Sequence, residues 1–201
     1  MKLIGITGGV GAGKTEILSF IKKHYCCKIY LTDQVAKDIQ MPGQVCYGQM
    51  VILLGKDVLC EDGTIDKAKM AAKIFAEPDL LLQVNAIVHP AVREYLLAAI
   101  EQAKQDKETE LFFIEAALLI ECGYGQIVDE MWYVYASDEV RRERLKASRG
   151  YSDEKITQIM ESQLTEEIFR ENSDFIIDNS GTLAESYSQI REKLEAYTWQ
   201  D

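Results

Sequence analysis

The residues best suited to chemistry lie close to the amino terminus. The stretch GGVGAGKT, residues 8–15, fits the pattern GxxxxGK followed by Ser or Thr in full. Glycines let backbone N–H groups approach phosphate oxygens, Lys14 adds a charge at the β- and γ-phosphates, and Thr15 offers a hydroxyl to Mg²⁺. We expect a nucleotide-binding P-loop. The residues predicted to bind ATP here are Gly9, Gly11, Ala12, Gly13, Lys14, Thr15 and Glu16, with Thr15 also predicted as a Mg²⁺ ligand.

A P-loop alone does not define the reaction, because kinases, GTPases, motors and transporters share it. The sequence holds no NKxD or TKxD segment with which GTPases read their base. Motor and transporter ATPases are normally larger than 201 residues or carry further signature segments. The sequence therefore favours a kinase for a small molecule.

A kinase needs a group that orients the acceptor hydroxyl and takes its proton. Asp33 follows the second predicted strand, and ligands of open α/β sheets bind at the carboxyl ends of strands. It fits this role, although it could equally be the N-cap of the next helix. Glu115 and Glu121 flank the loop after the third strand. Either could face the acceptor, Glu115 could bind Mg²⁺ through water, or both could be solvated.

Four arginines, Arg141, Arg142, Arg144 and Arg149, lie close together in a polar helical segment. Most members of such a run are typical of a solvated helix face. Arg149 differs because Gly150 and Tyr151 end its helix, which suits a lid tip. There it would neutralise charge on the γ-phosphate while the lid excludes water.

Hydrophobic periodicity predicts an α/β fold with strands separated by helices. Expected strands are 2–7, 28–31, 111–114, 131–136 and 174–177. Expected helices are 14–24, 33–40, 44–54, 66–76, 78–105 with an interruption near His89-Pro90, 137–148, 152–170 and 183–197. We expect a parallel sheet with helices on both faces.

The composition excludes several classes of partner and of metal site. A net charge of −11 argues against a general nucleic-acid binder, which needs a basic face. No apolar run reaches the 18 residues of a spanning helix, and the start of the chain does not resemble a signal peptide. Five cysteines without a CxxC pair, and two histidines far apart, give no zinc or iron–sulfur spacing. We expect reduced thiols and a cytoplasmic location.

Taken together, the series ITGGVGAGKT, LTDQVA, IVHPAV, ALLIE and DFIIDNSG resembles the dephospho-CoA kinase family, in order, over about residues 3–181. The resemblance implies a three-layer P-loop kinase fold with a five-stranded parallel sheet. It implies one domain with a core of about 1–40, 108–137 and 172–201, a helical acceptor-binding region of 41–107 and a lid of 138–171. It also implies ATP-dependent, Mg²⁺-assisted phosphorylation of the ribose 3′-hydroxyl of dephospho-CoA.

Carried over by position, the resemblance places the family's acidic residue on Asp33, its lid arginine on Arg149 and its HP pair on His89-Pro90. Its IDNxG segment puts Asn179 beside the adenine of ATP. His89 could instead be an N-cap or a core residue. The implied catalytic residues are Asp33, Lys14 and Arg149, and the implied acceptor-binding residues are Asp33, His89, Glu115 and Glu121.

The chain departs from the family pattern at four places. Glu115 stands where the family usually has an aspartate, Ala117 replaces a proline, Thr32 replaces the first acid of a pair, and Arg149 lies one residue beyond the usual spacing. Two alternatives therefore stay open beside dephospho-CoA phosphorylation. One is a kinase for another nucleoside, nucleotide or small alcohol, and the other is a nucleotide-binding regulatory module without transfer.

Overall fold

Five short segments rich in β-branched and aromatic residues form the strands, as this composition favours. The computed structural model describes residues 1–106 and 108–197. Lys107 and residues 198–201, which close the expected segments 41–107 and 172–201, lie outside the described residues. The strands are β1 (Lys2–Thr7), β2 (Cys27–Leu31), β3 (Leu111–Glu115), β4 (Glu130–Tyr135) and β5 (Phe175–Asp178).

Five of the helices in the described residues begin at a side chain that caps the N-terminus. The helices are α1 (Lys14–His24), α2 (Thr32–Asp38), α3 (Tyr47–Leu54), α4 (Lys67–Ala76), α5 (Pro78–Gln105), α6 (Asp138–Arg149), α7 (Asp153–Glu161), α8 (Glu166–Glu171) and α9 (Leu183–Glu195). Side chains that cap helix N-termini by accepting backbone N–H groups are those of Asp66, Ser137, Ser152, Thr165 and Thr182. Short 3₁₀ turns occur at Lys56–Val58 and Tyr124–Gln126.

The sheet has the strand order β2-β3-β1-β4-β5, which places β1 in the centre. β1 pairs in parallel with β3 and β4, and β4 pairs in parallel with β5. The expected α/β fold with a five-stranded parallel sheet is confirmed. Loops that follow β1, β3 and β4 leave the sheet at the same edge, where ligands of such folds bind.

One face of the sheet packs against α1 and α9. Ile17 and Phe20 of α1 and Ile190 of α9 share a buried cluster with Ile4 and Trp132 of the sheet. On the other face Tyr133 of β4 stacks on Phe169 of α8 with ring centroids 4.8 Å apart. Helices therefore cover both faces, because every strand of such a sheet presents apolar side chains on both sides.

The chain divides into two compact units. The first comprises Met1–Ile29 and the described part of Lys107–Asp201, and it carries the P-loop, α1 and α6 to α9. The second is Tyr30–Asp106 with α2 to α5. The boundary falls within β2, earlier than the expected start of the helical region at residue 41. The organisation as one kinase domain with a lid at 138–171 stays a prediction.

In the second unit, α5 is one continuous helix of 28 residues that includes Pro90. The predicted interruption near His89-Pro90 is therefore wrong. Proline removes a hydrogen-bond donor and crowds the preceding turn, but packing can maintain a helix against that cost. Apolar side chains four residues apart form a buried stripe on both sides of the proline; they are Val84, Val88, Val92, Leu96 and Ile100.

The predicted helix 152–170 is two helices, α7 and α8, joined by a turn. Thr165 causes the separation, since its hydroxyl accepts the N–H of Ile168 and begins a new helix. Glu166 and Glu167 follow in the first turn, where acidic side chains favour a helix N-terminus. The turn contains Gln163, whose contacts are described below.

All five cysteines are free thiols. Over residues 1–106 and 108–197, no helix has both the length and the apolar character needed to cross a bilayer.

At the start of β4, the Glu130 carboxylate joins three elements. It accepts hydrogen bonds from Trp132 Nε1 at 3.0 Å and from the Tyr197 hydroxyl at 2.7 Å. It also pairs with Lys2 Nζ at 3.2 Å and Lys193 Nζ at 3.0 Å. Burial disfavours the carboxylate, but the four donors outweigh it and lower the pKa of Glu130 to about 2.

We expect Glu130→Gln to lower the free energy of unfolding at neutral pH by roughly 1–3 kcal/mol, because a charged hydrogen-bond acceptor is lost. The pKa of Glu130 lies below its ordinary value of 4.5. Its stabilisation is therefore complete above that value and is lost as the pH falls towards 2. Urea denaturation across this range should show the difference from wild type narrowing with falling pH. Glu101→Gln, at a side chain 64% exposed, is the control. A pH-independent difference would contradict the assignment.

Candidate active site

The P-loop connects the end of β1 to the start of α1, and two of its glycines meet local demands. Gly8 has φ +149°, and a Cβ there would lie 2.5 Å from the carbonyl oxygen of Val134. Gly13 is the N-cap of α1 with φ +94°, in the left-handed region that favours glycine. The loop can therefore lie directly against β4 and still turn into the helix.

The N-terminus of α1 fits a phosphate. Among the described residues, no side chain caps this helix at Gly13. The positive end of the helix dipole and its first backbone N–H groups are thus available to an anion such as a phosphate. Thr15 is exposed in the first turn, where its hydroxyl suits Mg²⁺. No cluster of three or more metal-ligating His, Cys, Asp or Glu side chains occurs in the described part of the chain. Mg²⁺ is commonly held by one or two protein ligands together with substrate phosphates, and Thr15 would supply one such ligand.

Lys14 extends back along the loop. Its Nζ donates to the carbonyl oxygen of Gly8 at 2.7 Å and lies 3.6 Å from Glu115 Oε1. Both side chains are largely buried, with 14% of Lys14 and 17% of Glu115 exposed. The end of β3 therefore contributes a carboxylate beside the P-loop lysine, as its sheet position beside β1 allows.

Asn179 and Arg144 hold the loop at Ala12. The carbonyl oxygen of Ala12 accepts Asn179 Nδ2 at 2.7 Å and Arg144 Nη1 at 3.2 Å. Arg144 Nη2 also donates to the backbone oxygen of Asn179 at 2.8 Å. Ser186 of α9 donates to Asn179 Oδ1 at 2.8 Å, and Asn179 is only 1% exposed. The Asn179 side chain thus braces the P-loop, and its proposed place beside adenine stays a prediction.

Two further side chains reach Val10 of the loop. Arg141 Nε donates to the Val10 carbonyl oxygen at 3.0 Å, and Gln163 Oε1 accepts the Val10 N–H at 3.1 Å. Arg141 also lines a cavity of about 570 Å³. Other residues of that cavity include Tyr133, Arg142, Thr157, Glu166 and Phe169. Burial, followed by the charge of Glu166, raises the pKa of Tyr133 to about 12, so its hydroxyl stays protonated at neutral pH.

Arg149 and Arg142 have other surroundings. Arg149 is exposed at the end of α6, with its guanidinium 5.8 Å from the Tyr151 ring centroid. Arg142 donates to the Thr157 hydroxyl at 3.0 Å and thereby joins α6 to α7. The role of Arg149 in phosphoryl transfer stays a prediction.

Four further predicted site residues, Asp33, His89, Glu121 and Glu16, are exposed. Asp33 lies in the first turn of α2, and His89 lies within α5, both in the second unit. Asp33 is not the N-cap of its helix, since Leu31 occupies that position. His89 is neither an N-cap nor a core residue. Glu121 lies in the turn after β3, and Glu16 accepts a hydrogen bond from the Tyr187 hydroxyl at 2.8 Å.

Sequence reasoning missed Arg141, Arg144 and Gln163. A usable signal was present for the arginines, because residues three apart share a helix face and their helix α6 follows β4, the neighbour of the central strand β1. Gln163 carried no such signal, since its position depends on the turn between α7 and α8.

A P-loop at the end of the central parallel strand, with a lysine inside it and an arginine-bearing helical segment between β4 and β5, defines a P-loop phosphotransferase of the kinase class. Comparison with known proteins specifies the family. A family model described as dephospho-CoA kinase matches residues 2–185. A dephospho-CoA kinase of Carboxydothermus hydrogenoformans is 32% identical over 201 residues, covering 100% of this chain and 97% of the relative. One of Streptococcus mutans is 34% identical, covering 96% of each chain.

Solved structures share the fold of this chain. A Thermus thermophilus protein has a TM-score of 0.80 and 26% identity over 98% of both chains. A dephospho-CoA kinase of Campylobacter jejuni has a TM-score of 0.74 and 20% identity, covering 97% of this chain and 96% of that one. At that identity the second likeness concerns the fold.

The chain therefore belongs to the dephospho-CoA kinase family. It is an ATP-dependent kinase that acts on dephospho-CoA, with ATP as the phosphoryl donor and Mg²⁺ as the cofactor. When bound, Mg²⁺ neutralises charge on the phosphates.

We expect Arg144→Lys to raise the KM for ATP about 10-fold, since one ammonium cannot make the two diverging bonds of the guanidinium and the loss of about 1.4 kcal/mol is tenfold. Steady-state kinetics with varied ATP would measure this. Arg142→Lys, on the same helix but bonded to Thr157, is the matched control and should stay within about twofold. An unchanged KM in Arg144→Lys would refute the bracing role.

Proposed function

We propose that the chain transfers the γ-phosphate of ATP to the ribose 3′-hydroxyl of dephospho-CoA by in-line displacement. The observation that carries this proposal is the P-loop, with an anion-directed helix N-terminus and a lysine held beside it. Phosphoryl transfer passes through a loose transition state, so that positioning and charge neutralisation do most of the work.

Lys14 is proposed to contact the β- and γ-phosphates. Its ammonium has three donors, and its bond to the Gly8 carbonyl keeps it on the loop. Glu115 lies 3.6 Å from that ammonium and balances its charge until the nucleotide binds. Glu115 is also proposed to face the acceptor side of the site, as the final residue of β3. Thr15 is proposed as the Mg²⁺ ligand from the protein.

Asp33 is proposed as the general base. Its carboxylate is exposed in the first turn of α2, directly after an edge strand of the sheet. It would accept a hydrogen bond from the ribose hydroxyl and take its proton late in the transfer. Its exposure and its freedom from a capping role both support this assignment.

Arg149 is proposed as the lid arginine that neutralises the transferring phosphoryl group. Gly150 follows it with φ +62°, so α6 ends directly after this side chain. His89 and Glu121, both exposed, are proposed to contact the acceptor. Asn179, in the loop that follows β5, is proposed to lie beside the adenine of ATP.

The proposed partners are small anionic molecules rather than nucleic acid or a membrane surface. A net charge of −11 opposes binding to a polyanion, whereas local donors can still hold a nucleotide. We place the protein in the cytoplasm, and the five free thiols support a reducing compartment.

A panel of acceptors tests the substrate. ADP release should be stimulated by dephospho-CoA far more than by adenosine, AMP, other nucleosides or shikimate. The 3′-deoxy analogue of dephospho-CoA should give no product because it lacks the acceptor oxygen. Strong stimulation by another acceptor, and none by dephospho-CoA, would favour a kinase with a shifted substrate. Nucleotide binding without transfer to any acceptor would favour the regulatory module.

Substitutions test the residue roles. We expect Asp33→Asn to lower kcat by roughly 10²–10⁴-fold and Arg149→Ala by about 10²-fold, with the Kd for ATP nearly unchanged in Asp33→Asn. Asp38→Asn in α2 and Lys146→Ala in α6 are matched surface controls that should retain activity. Single-turnover kinetics with saturating ATP would measure the transfer step. Full activity in Asp33→Asn would remove it as the base.

A further inference from the structure

The peptide groups of Val10 are held from both sides by side chains of the segment between β4 and β5. Gln163 Oε1 accepts the Val10 N–H at 3.1 Å, and Arg141 Nε donates to the Val10 carbonyl oxygen at 3.0 Å. Arg141 Nη2 also donates to Gln163 Oε1 at 2.8 Å. The three bonds close a ring through Val10, Arg141 and Gln163, which we call the Val10 clamp.

The clamp fixes two peptide planes of the P-loop. A peptide unit is planar, with its carbonyl oxygen and N–H directed to opposite sides. In the unit between Gly9 and Val10, the Gly9 oxygen accepts the Ala12 N–H at 3.2 Å while the Val10 N–H is held by Gln163. In the next unit Arg141 holds the Val10 oxygen, so the Gly11 N–H must be directed away from Arg141.

Ala12 is held in the same way one peptide further along. Arg144 and Asn179 hold its carbonyl oxygen, which sets the direction of the Gly13 N–H. The Val10 and Ala12 carbonyl oxygens are thus bonded by side chains, and the Gly11 and Gly13 N–H groups of the same peptide units are directed away from those side chains. A glycine-rich loop would otherwise sample many conformations, and phosphate binding would have to order it.

The two residues of the clamp, Arg141 and Gln163, are each held in place within their own segment of the chain. Arg141 belongs to α6, where Asp138 accepts its Nη1 at 3.5 Å and only 14% of the side chain is exposed. Gln163 belongs to the turn after α7, which is fixed by its own N–H to the Met160 oxygen at 3.2 Å. Arg142 joins α6 to α7 through Thr157. Both arms of the clamp therefore come from one connected part of the chain.

We propose that Arg141 and Gln163 are positioning residues of the donor site. By holding the Val10 peptide groups they aim the Gly11 N–H at the triphosphate and make the loop ready for ATP, and they couple the α6–α7 segment to the loop. This inference rests on the proposed function in that the anion is taken to be the phosphate chain of ATP. Preorganised donors of this kind cost no ordering at the moment of binding or transfer.

A substitution at Gly9 tests the Val10 clamp independently. A Cβ built on Gly9 would collide with the Arg141 guanidinium. The backbone of Gly9 does not have the positive φ that disfavours alanine. Gly9→Ala should therefore act mainly by displacing Arg141 from the Val10 carbonyl.

The test measures the Kd for ATP by calorimetry, together with kcat, KM for ATP and Tm, in the full chain. Arg141→Lys keeps the charge but loses the fork, and Gln163→Leu keeps the approximate size but loses the acceptor. We expect each to weaken ATP binding about 10-fold, since the loss of one well-placed hydrogen bond is about 1.4 kcal/mol, with Tm changed little. Glu143→Gln, at an exposed side chain of α6, is the matched control and should leave the Kd for ATP within about twofold of wild type.

The double variant decides between a clamp and two separate contacts. Because both residues act through Val10, Arg141→Lys with Gln163→Leu should weaken binding by little more than either alone. Gly9→Ala should likewise add little to Arg141→Lys. Losses that multiply, a fall in Tm without a change in Kd, or variants within about twofold of wild type would each overturn the clamp.

Failure of the clamp can be separated from failure of the proposed function. If wild-type protein binds ATP and phosphorylates dephospho-CoA while the variants match it, only the clamp is refuted. If wild-type protein neither binds ATP nor transfers phosphate to dephospho-CoA, the proposed function itself is refuted, and the inference about the triphosphate is refuted with it.

Discussion

The central place of β1 is the constraint on which the rest of the structure depends. Its hydrogen bonds to β3 and β4 fix where the strand ends, and the P-loop must turn at that point. Contact of Gly8 with the Val134 carbonyl requires a residue without a side chain. The same pairing brings Glu115, at the end of β3, within reach of Lys14. One sheet register thus sets the position of the phosphate cradle and the charge beside it.

Bracing of the loop comes from three segments far apart in the chain. Arg141 and Arg144 come from α6, Gln163 from the turn before α8, and Asn179 from the end of β5. These groups bond mainly to the carbonyl oxygens of Val10 and Ala12, so the N–H groups of the same peptide units are directed away from them. Donor-site geometry is therefore a property of the whole first unit rather than of the motif alone.

The fold and the family could be predicted from the sequence. The P-loop pattern, the five strands and the ordered motifs predicted the fold and the family, because short-range chemistry and apolar runs specify them. The continuity of α5 through Pro90 could not be predicted from the sequence. It depends on the packing of Val88 and Val92, which local helix propensity does not describe. The side-chain bonds of Arg141 and Gln163 were also inaccessible, because they join residues 131 and 153 positions from Val10. The position of Arg149 at a helix end favours a lid role, whereas Arg141 and Arg144, which reach the loop, lie within the helix.

The bonds at Ala12 also bear on the order in which a functional chain can be made. Ribosomes synthesise the GGVGAGKT segment well before Asn179, which bonds the Ala12 carbonyl from 167 positions further along and is oriented in turn by Ser186 of α9. The motif therefore exists in the nascent chain before these partners do. A nascent chain stalled before α9 would therefore carry the complete motif without its native support, and nucleotide binding would report completion of the fold rather than synthesis of the motif.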